Sequence, residues 1–199
     1  MGRRSVHTPE ELRQLILGAS RGIIERDGLA GLSAREVARL IGYSAGTLYN
    51  IFDNLDDILM TLQAQLLSEV SDAIKSVPKV SDRNTYILNV AKTYVDFALA
   101  NPRLWNLLFA HTVAPNIAAQ SVLQEHMMNI VKIVAEPMQH LAPQLSIEDI
   151  EKNTAILIAS IHGITAIAVT SKARKLTTES AQDYACNLTK IFIRGLQAL

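Results

Sequence analysis

The stretch "SAREVARLIGYSAGTLYN", residues 33–50, predicts two short helices joined by a tight turn. Ser33 and Glu36 have the spacing of a capping box, which begins a helix. Gly42 tolerates the positive φ that often ends a helix, because it has no Cβ. Ser44 then provides a side chain that favours the start of a second helix.

The small and apolar residues of this stretch meet the demands of a helix-turn-helix. Two helices crossing at roughly 100° need a small residue where they touch, and Ala38 stands four residues before Gly42. They also need apolar residues on both sides of the turn, which Val37, Ile41 and Leu48 supply. We therefore interpret the stretch as a DNA-reading unit. The alternative is an ordinary pair of small helices inside an all-α protein.

Start and stop signals along the rest of the chain predict an all-α fold of about nine helices. Thr8 and Glu11 form another capping box, and Asn54 opens a long helix that ends near Pro78. Pro137 is expected to kink or end a later helix. The remaining helical stretches cover residues 85–100, 102–111, 117–141, 147–172 and 177–199.

A seam near residues 50–56 predicts two domains. Residues 1–53 would form the helix-turn-helix domain, and residues 54–199 a larger helical bundle. No stretch alternates between apolar and polar residues convincingly enough to be a strand.

Composition favours a cytoplasmic protein with no membrane association. The 199 residues are 49% hydrophobic, and 19 basic residues cancel 19 acidic ones, so no overall field attracts nucleic acid or anionic lipid. The single cysteine, Cys186, excludes an intramolecular disulfide and fits a reducing compartment. The longest apolar run, residues 155–169, is too short and too polar to span a bilayer.

Residues 42–50 contain no charged side chain, which is unexpected in a segment that meets a polyanion. Phosphate contacts supply affinity and base-edge contacts supply specificity, so different residues can serve the two purposes. Residues 1–52 hold seven arginines against five acidic residues. Arg35 and Arg39 lie one turn apart on the helix before the turn, where they could reach phosphate or simply be solvated surface.

The segment "LSAREVARLIGYSAGTLYNIFDNLDDIL", residues 32–59, resembles the DNA-binding domain of the TetR family of bacterial transcriptional regulators. The resemblance extends from about Thr8 to Leu59. It implies an all-α homodimer, with three N-terminal helices that bind DNA and a C-terminal bundle that binds a small effector and dimerises. Trp105 and the pair His162-Gly163 correspond to residues that mark one subclass of the family.

The chain departs from the family pattern at the start of the fourth helix. Family members commonly have a lysine there that would touch a phosphate, whereas this chain has Leu55. The neighbouring Asp53, Asp56 and Asp57 favour the helix dipole but offer no phosphate contact. The contribution of this helix to DNA affinity is therefore expected to be reduced.

Short and hydroxyl-bearing side chains are the candidate DNA contacts. Ala45 and Gly46 keep the second helix slim enough to enter a groove, and the resemblance implies phosphate contacts for Thr47 and Tyr49. Asn50 could contact DNA or be ordinary surface. The complete set of predicted DNA-binding residues is Arg35, Ser44, Ala45, Gly46, Thr47, Tyr49 and Asn50.

The C-terminal half offers two further candidate sites. Aromatic and methionine residues at helical spacing form either plain core or the wall of a cavity for a small, apolar effector; these are Tyr94, Phe97, Trp105, Phe109, Met127 and His162. Small and apolar residues on the last two helices form either monomer core or a dimer interface; these are Ala155, Ala159, Gly163, Ile167, Leu188 and Phe192.

The sequence as a whole predicts a ligand-responsive repressor that binds a palindromic operator in double-stranded DNA as a dimer and is released by its effector. The alternative is a helical-bundle ligand carrier or enzyme with a vestigial DNA-binding head. No catalytic residue, metal site or cofactor is predicted, because the chain contains no His-x3-His, Cys-x2-Cys or phosphate-loop pattern.

Overall fold

The computed structural model describes residues 7–110, 117–170 and 178–199, and these residues contain helices and turns but no strand. The helices are α1 (Pro9–Asp27), α2 (Ala34–Ile41), α3 (Ala45–Leu48), α4 (Leu55–Lys75), α5 (Arg83–Ala100), α6 (Pro102–Ala110), α7 (Ile117–Gln139), α8 (Ile147–Val169) and α9 (Thr178–Gln197). A short 3₁₀ turn, Leu29–Gly31, joins α1 to α2. The predicted all-α fold with about nine helices is confirmed.

Side-chain caps begin the helices where the sequence predicts them. Thr8 and Glu11 form a complete capping box, in which the Thr8 N–H donates to Glu11 Oε2 at 2.7 Å. Ser146 Oγ accepts from the Asp149 N–H at 3.1 Å and so begins α8. The helix that contains Pro137 ends two residues later, at Gln139.

Helix α4 connects the N-terminal helices to the bundle. Its first residues follow the helix-turn-helix, and further along it contacts α5, α6 and α7. The guanidinium of Arg21 on α1 makes a two-point contact with the Glu69 carboxylate on α4, with Nη2 and Oε2 3.0 Å apart. The Arg13 guanidinium lies 4.4 Å from the centroid of the Phe52 ring. These contacts hold the N-terminal helices against α4.

Helices α8 and α9 pack on each other, and α8 leaves one apolar face uncovered. Of the described helices, α8 is long and apolar enough to cross a membrane by length and composition, yet only 22% of that stretch is buried. Ile156 is 50% exposed and Ile167 is 43% exposed. The inner face of α8 contacts α5, α6, α7 and α9.

Candidate nucleic-acid interface and effector cavity

The turn between α2 and α3 has the backbone geometry that the sequence predicts. Gly42 lies in the left-handed region, with φ 75° and ψ 27°, and its N–H donates to the carbonyl of Ala38. The Tyr43 N–H donates to the same carbonyl at 3.0 Å. Val37 and Leu48 are fully buried on either side of the turn. Helices α2 and α3 are therefore held together by a turn that favours glycine and by a shared core.

Helix α3 is a single turn of four residues, Ala45–Leu48. Ser44 Oγ accepts from the Thr47 N–H at 3.3 Å and lies 2.9 Å from Thr47 Oγ1. Two of the predicted DNA-contacting hydroxyls are thus already bonded to each other. The N–H groups of Ile51 and Phe52 both donate to the Leu48 carbonyl, which continues the turn beyond α3.

The outer side of this segment is exposed and carries several predicted DNA contacts. Tyr49 is 49% exposed, and Asn50 is also on the surface, whereas Ala45 is half-buried. A Cβ built on Gly46 would meet only Ser44 Oγ, at 3.7 Å, which is an ordinary contact. Packing within the chain therefore does not require glycine at position 46.

Most of the nearby arginines are occupied by contacts within the chain. The Arg39 guanidinium makes two hydrogen bonds to the Glu36 carboxylate, at 2.8 and 2.7 Å. Arg26 is paired with Asp27 in the same way, while Arg13 and Arg21 bind α4. Among the described arginines of residues 7–52, Arg35 is exposed and has no hydrogen bond or ion pair. Arg3 and Arg4 lie outside the described residues.

The acidic residues after the helix-turn-helix cap α4. Asn54 Oδ1 accepts from the Asp57 N–H at 2.9 Å, and Asp57 Oδ2 accepts from the Asp53 N–H at 3.2 Å. Leu55 is half-buried against the core. These residues stabilise the start of α4, and none of them is a cation that could bind phosphate.

One contact near the turn is not predictable from spacing. His7 Nδ1 lies 2.6 Å from the hydroxyl of Tyr43, although the two residues are 36 positions apart. Their rings are also in contact, with centroids 5.9 Å apart and planes tilted by 56°. His7, two residues before α1, is therefore anchored to the turn.

A cavity of about 240 Å³ lies among α4, α5, α6, α7 and α8. Four of the six predicted effector-binding residues line it: Tyr94, Trp105, Met127 and His162. Phe97 instead packs edge-on against the Trp105 ring, with centroids 6.1 Å apart. The side chain of Phe109 lies outside the described residues. The other lining residues are Gln63, Leu67, Val70, Leu108, Leu123, Ile130 and Ile158.

Hydrogen bonds fix the aromatic wall of the cavity. The Tyr94 hydroxyl lies 2.7 Å from His162 Nδ1, and Trp105 Nε1 donates to Thr165 Oγ1 at 3.0 Å. Thr165 Oγ1 donates in turn to the His162 carbonyl at 2.8 Å. Trp105 on α6 is thereby joined to the turn of α8 that carries His162.

Burial shifts the pKa values of two side chains in this wall, His162 and Tyr94. It lowers the pKa of His162 to about 4 from the ordinary value of 6.5. It also raises the pKa of the Tyr94 hydroxyl above its ordinary value of 10.0. Both side chains are therefore uncharged at neutral pH.

The buried imidazole predicts an acid-sensitive fold. Because the folded pKa of His162 is below that of the unfolded chain, protonation favours unfolding, so stability should fall between pH 6.5 and about 4. We expect a contribution of about 1–2 kcal/mol after allowing for partial exposure of the ring. Urea unfolding of the parent and of His162→Gln across this range measures it. Parallel curves for the two proteins would contradict the prediction.

Comparison with known proteins shows which family this chain belongs to. Residues 87–187, just over half of the chain, match the family model described as "Tetracyclin repressor-like, C-terminal domain". The chain belongs to the TetR family of transcriptional regulators. Trp105 and His162-Gly163 lie within the matched residues. The family is one of non-enzymatic DNA-binding regulators with a helix-turn-helix.

Curated relatives and solved structures agree with this TetR-family assignment. An HTH-type transcriptional regulator of Mycobacterium tuberculosis is 24% identical over 107 residues, which are 52% of this chain and 46% of the relative. The chain thus matches about half the length of that relative. A transcriptional regulator from Rhodococcus sp. has a TM-score of 0.76 at 18% identity, covering 94% of this chain and 98% of its own. FadR of Bacillus subtilis, solved in complex with stearoyl-CoA, has a TM-score of 0.70 at 13% identity, with 92% and 98% covered.

Proposed function

We propose that this TetR-family regulator is a cytoplasmic repressor that binds a palindromic operator as a homodimer and leaves it when a small apolar effector fills the cavity. The observation that supports this proposal best is that one short helix, α6, both lines the cavity and contacts α1, the helix that precedes the helix-turn-helix. We further propose that residues 1–53 act as the DNA-binding unit and residues 54–199 as the effector-binding and dimerisation unit.

The seven proposed DNA-binding residues have different roles. Gly46, Tyr49 and Asn50 form the exposed surface that enters the major groove, where Gly46 permits close approach. Ser44 and Thr47 hold the first turn of α3 in place, and their shared hydroxyl pair would face the phosphates. Arg35 supplies positive charge on the preceding helix, and Ala45 packs at the base of the turn.

The uncovered face of α8 and α9 supports dimerisation. None of the six predicted interface residues is fully buried within one chain, and Ala159, Gly163 and Ile167 are exposed. A Cβ built on Gly163 would meet nothing within 4 Å, so packing within the chain does not explain the glycine. On α9, Leu188 and Phe192 are half-buried, and the neighbouring Ile191 is 68% exposed. A second copy packing on this face would remove a contiguous apolar surface from water.

Contacts of α6 support communication between the cavity and the DNA-binding head. The Arg103 guanidinium donates to the carbonyls of Glu25, at 2.8 Å, and Arg26 at the end of α1. Trp105, two residues further along α6, lines the cavity. A ligand that displaces Trp105 would therefore shift the point where α6 holds α1. Effector binding would favour a dimer whose two heads no longer match the operator spacing.

The cavity walls indicate what kind of effector fits. Stearoyl-CoA, which the Bacillus subtilis FadR structure contains, carries several negative charges. None of the lining residues that the structure describes is a lysine or arginine, and the cavity volume is about 240 Å³. We therefore expect a smaller and less charged effector.

The two arginines of α2 provide a matched test of the DNA-binding role. Arg35→Ala should lower affinity for operator DNA and reduce the slope of log K against log salt by about 1, because one phosphate contact is lost. Arg39→Ala should change the slope less, since Arg39 is engaged by Glu36. Fluorescence anisotropy with a labelled duplex over a salt series measures both. Equal slopes for Arg35→Ala and the parent protein would remove Arg35 from the contact surface.

A further inference from the structure

Among the described polar residues of the cavity wall, Gln63 is the one that could not be selected from the sequence. Its side chain is 3% exposed, and Nε2 donates to the Leu107 carbonyl at 2.9 Å. A carbonyl can only accept, so this bond fixes which end of the amide faces α6. Gln63 Oε1 is buried and has no hydrogen-bond partner among the described residues.

An unpartnered buried carbonyl oxygen is costly unless a donor reaches it. The final torsion of a glutamine side chain is soft, so a small rotation can turn Oε1 toward a donor in the cavity. The other described lining residues are apolar or already have a hydrogen-bond partner: Tyr94 lies against His162, and Trp105 donates to Thr165. Gln63 is therefore the group best suited to select a polar atom of a ligand.

The rest of the cavity wall disfavours ligands that carry a charge. Among the described residues, no Asp, Glu, Lys or Arg lines the cavity, and burial keeps His162 neutral at pH 7 because it lowers its pKa to about 4. An ionised ligand group would lose its hydration without gaining an opposite charge. The wall thus favours uncharged molecules over carboxylates, phosphates and ammonium ions.

We propose that the ligand is an uncharged, mainly apolar molecule with a single O–H or N–H donor, such as an alcohol, phenol or amide, that donates to Gln63 Oε1. Calling this ligand the effector rests on the proposed function. The donor end lies between α4 and α6, beside Gln63.

A second void gives the apolar end its direction. It measures about 20 Å³, its described lining residues are apolar apart from Tyr94, and it shares Tyr94, Ile130 and Ile158 with the main cavity. It reaches Ile74, which is eleven residues beyond Gln63 on α4 and therefore about 16 Å away along the helix. The ligand would lie in the main cavity, with its donor at Gln63 and its apolar end on the side of this smaller void.

A water molecule could also satisfy Gln63 Oε1, since the cavity is large enough to hold one. A bound water would make the cavity indifferent to whether an apolar ligand carries a donor. The two explanations therefore predict different ligand selectivity.

The experiment uses the full chain and three probes. 1-Octanol and 1-methoxyheptane are isomers that differ in having or lacking a donor, and octanoate adds a charge. Trp105 is the only tryptophan of the chain and lines the cavity, so its fluorescence reports binding without DNA. We expect 1-octanol to bind about tenfold more tightly than 1-methoxyheptane, and octanoate to bind more weakly than 1-octanol by at least as much.

Two glutamine variants test whether Gln63 itself accepts the hydrogen bond from the ligand. Gln63→Met keeps the length of the side chain and removes the acceptor, so the tenfold preference for the alcohol should disappear. Gln139→Met is the matched control, because Gln139 also has a buried unpartnered Oε1 and donates to a backbone carbonyl, that of Leu145, but does not line the cavity. It should keep the preference.

The proposal is overturned if the parent protein binds the two isomers equally, if it binds none of the three probes, or if Gln63→Met keeps the preference. The comparison of isomers on the parent protein decides the matter even if Gln63→Met does not fold. Failure of operator binding in a separate DNA assay would instead count against the proposed function, because the fluorescence readout does not involve DNA.

Discussion

Replacing Ala159 with arginine should give a folded monomer whose affinity for operator DNA is lower by at least about a hundredfold. Ala159 is exposed on the outer face of α8, between Ile156 and Gly163, so one chain can accommodate the longer side chain. In a dimer packed through this face, the guanidinium would be buried without a partner, at a cost of about 3–5 kcal/mol. Sedimentation equilibrium measures the assembly state, and anisotropy titration measures DNA affinity.

Ala100→Arg is the matched control for this variant. Ala100 is also an exposed alanine in a helix, and as the last residue of α5 it belongs to neither of the two helices of the proposed interface. It should leave both the dimer and DNA affinity close to the parent values. A dimeric Ala159→Arg protein with unchanged affinity would exclude this face as the interface.

Replacing Gly46 with glutamate should abolish DNA binding while preserving or raising thermal stability. Gly46 is exposed, has a negative φ, and a Cβ there would make only an ordinary contact. A residue other than glycine stabilises a helix by about 0.5–1 kcal/mol, and a carboxylate near a helix N-terminus is favourable. The same carboxylate would face the DNA, so a loss of more than about a hundredfold in affinity is expected from repulsion and from blocked approach.

Gly22→Glu is the control for Gly46→Glu, because it changes the net charge by the same amount without placing a carboxylate on α3. Gly22 is exposed on α1, and a Cβ there would meet nothing within 4 Å. This variant should bind DNA within a few-fold of the parent protein. If Gly46→Glu binds DNA as well as Gly22→Glu does, the outer side of α3 is not the DNA-contacting surface.

The sequence was sufficient for the features that depend on local geometry. The capping box at Thr8 and Glu11, the positive φ of Gly42 and the cap at Ser146 all follow from residue types at fixed short spacing. The buried pair Val37 and Leu48 follows from helical periodicity. The fold class could therefore be predicted without knowledge of any long-range contact.

The charges around the DNA-binding head could not be assigned in the same way. An excess of two positive charges in residues 1–52 suggests a basic surface, but Arg21 is engaged by Glu69, 48 residues away. The contact between Arg13 and Phe52 likewise depends on how α1 packs near the start of α4. Spacing along the chain does not encode these partners, so charge counting overestimated the cations available to phosphate.

The candidate cavity likewise contains some residues that could be predicted from the sequence and one that could not. The aromatic wall could be found because Tyr94, Trp105 and His162 are distinctive residue types in apolar helices. Gln63 could not, because a glutamine on a long helix is normally solvent-exposed. Its burial depends on how α4 packs in the bundle, where Nε2 reaches the Leu107 carbonyl on α6 and Oε1 has no partner among the described residues.

Selection of bound sequences from a random library of DNA duplexes, with the full chain at moderate salt, tests the central claim most directly. The proposed dimer should enrich an inverted repeat whose half-site centres are separated by about 10 base pairs or a multiple of that distance. Gly46→Glu, carried through the same selection, should enrich nothing. An unenriched pool from the parent protein, or a single half-site without its inverted copy, would contradict the account.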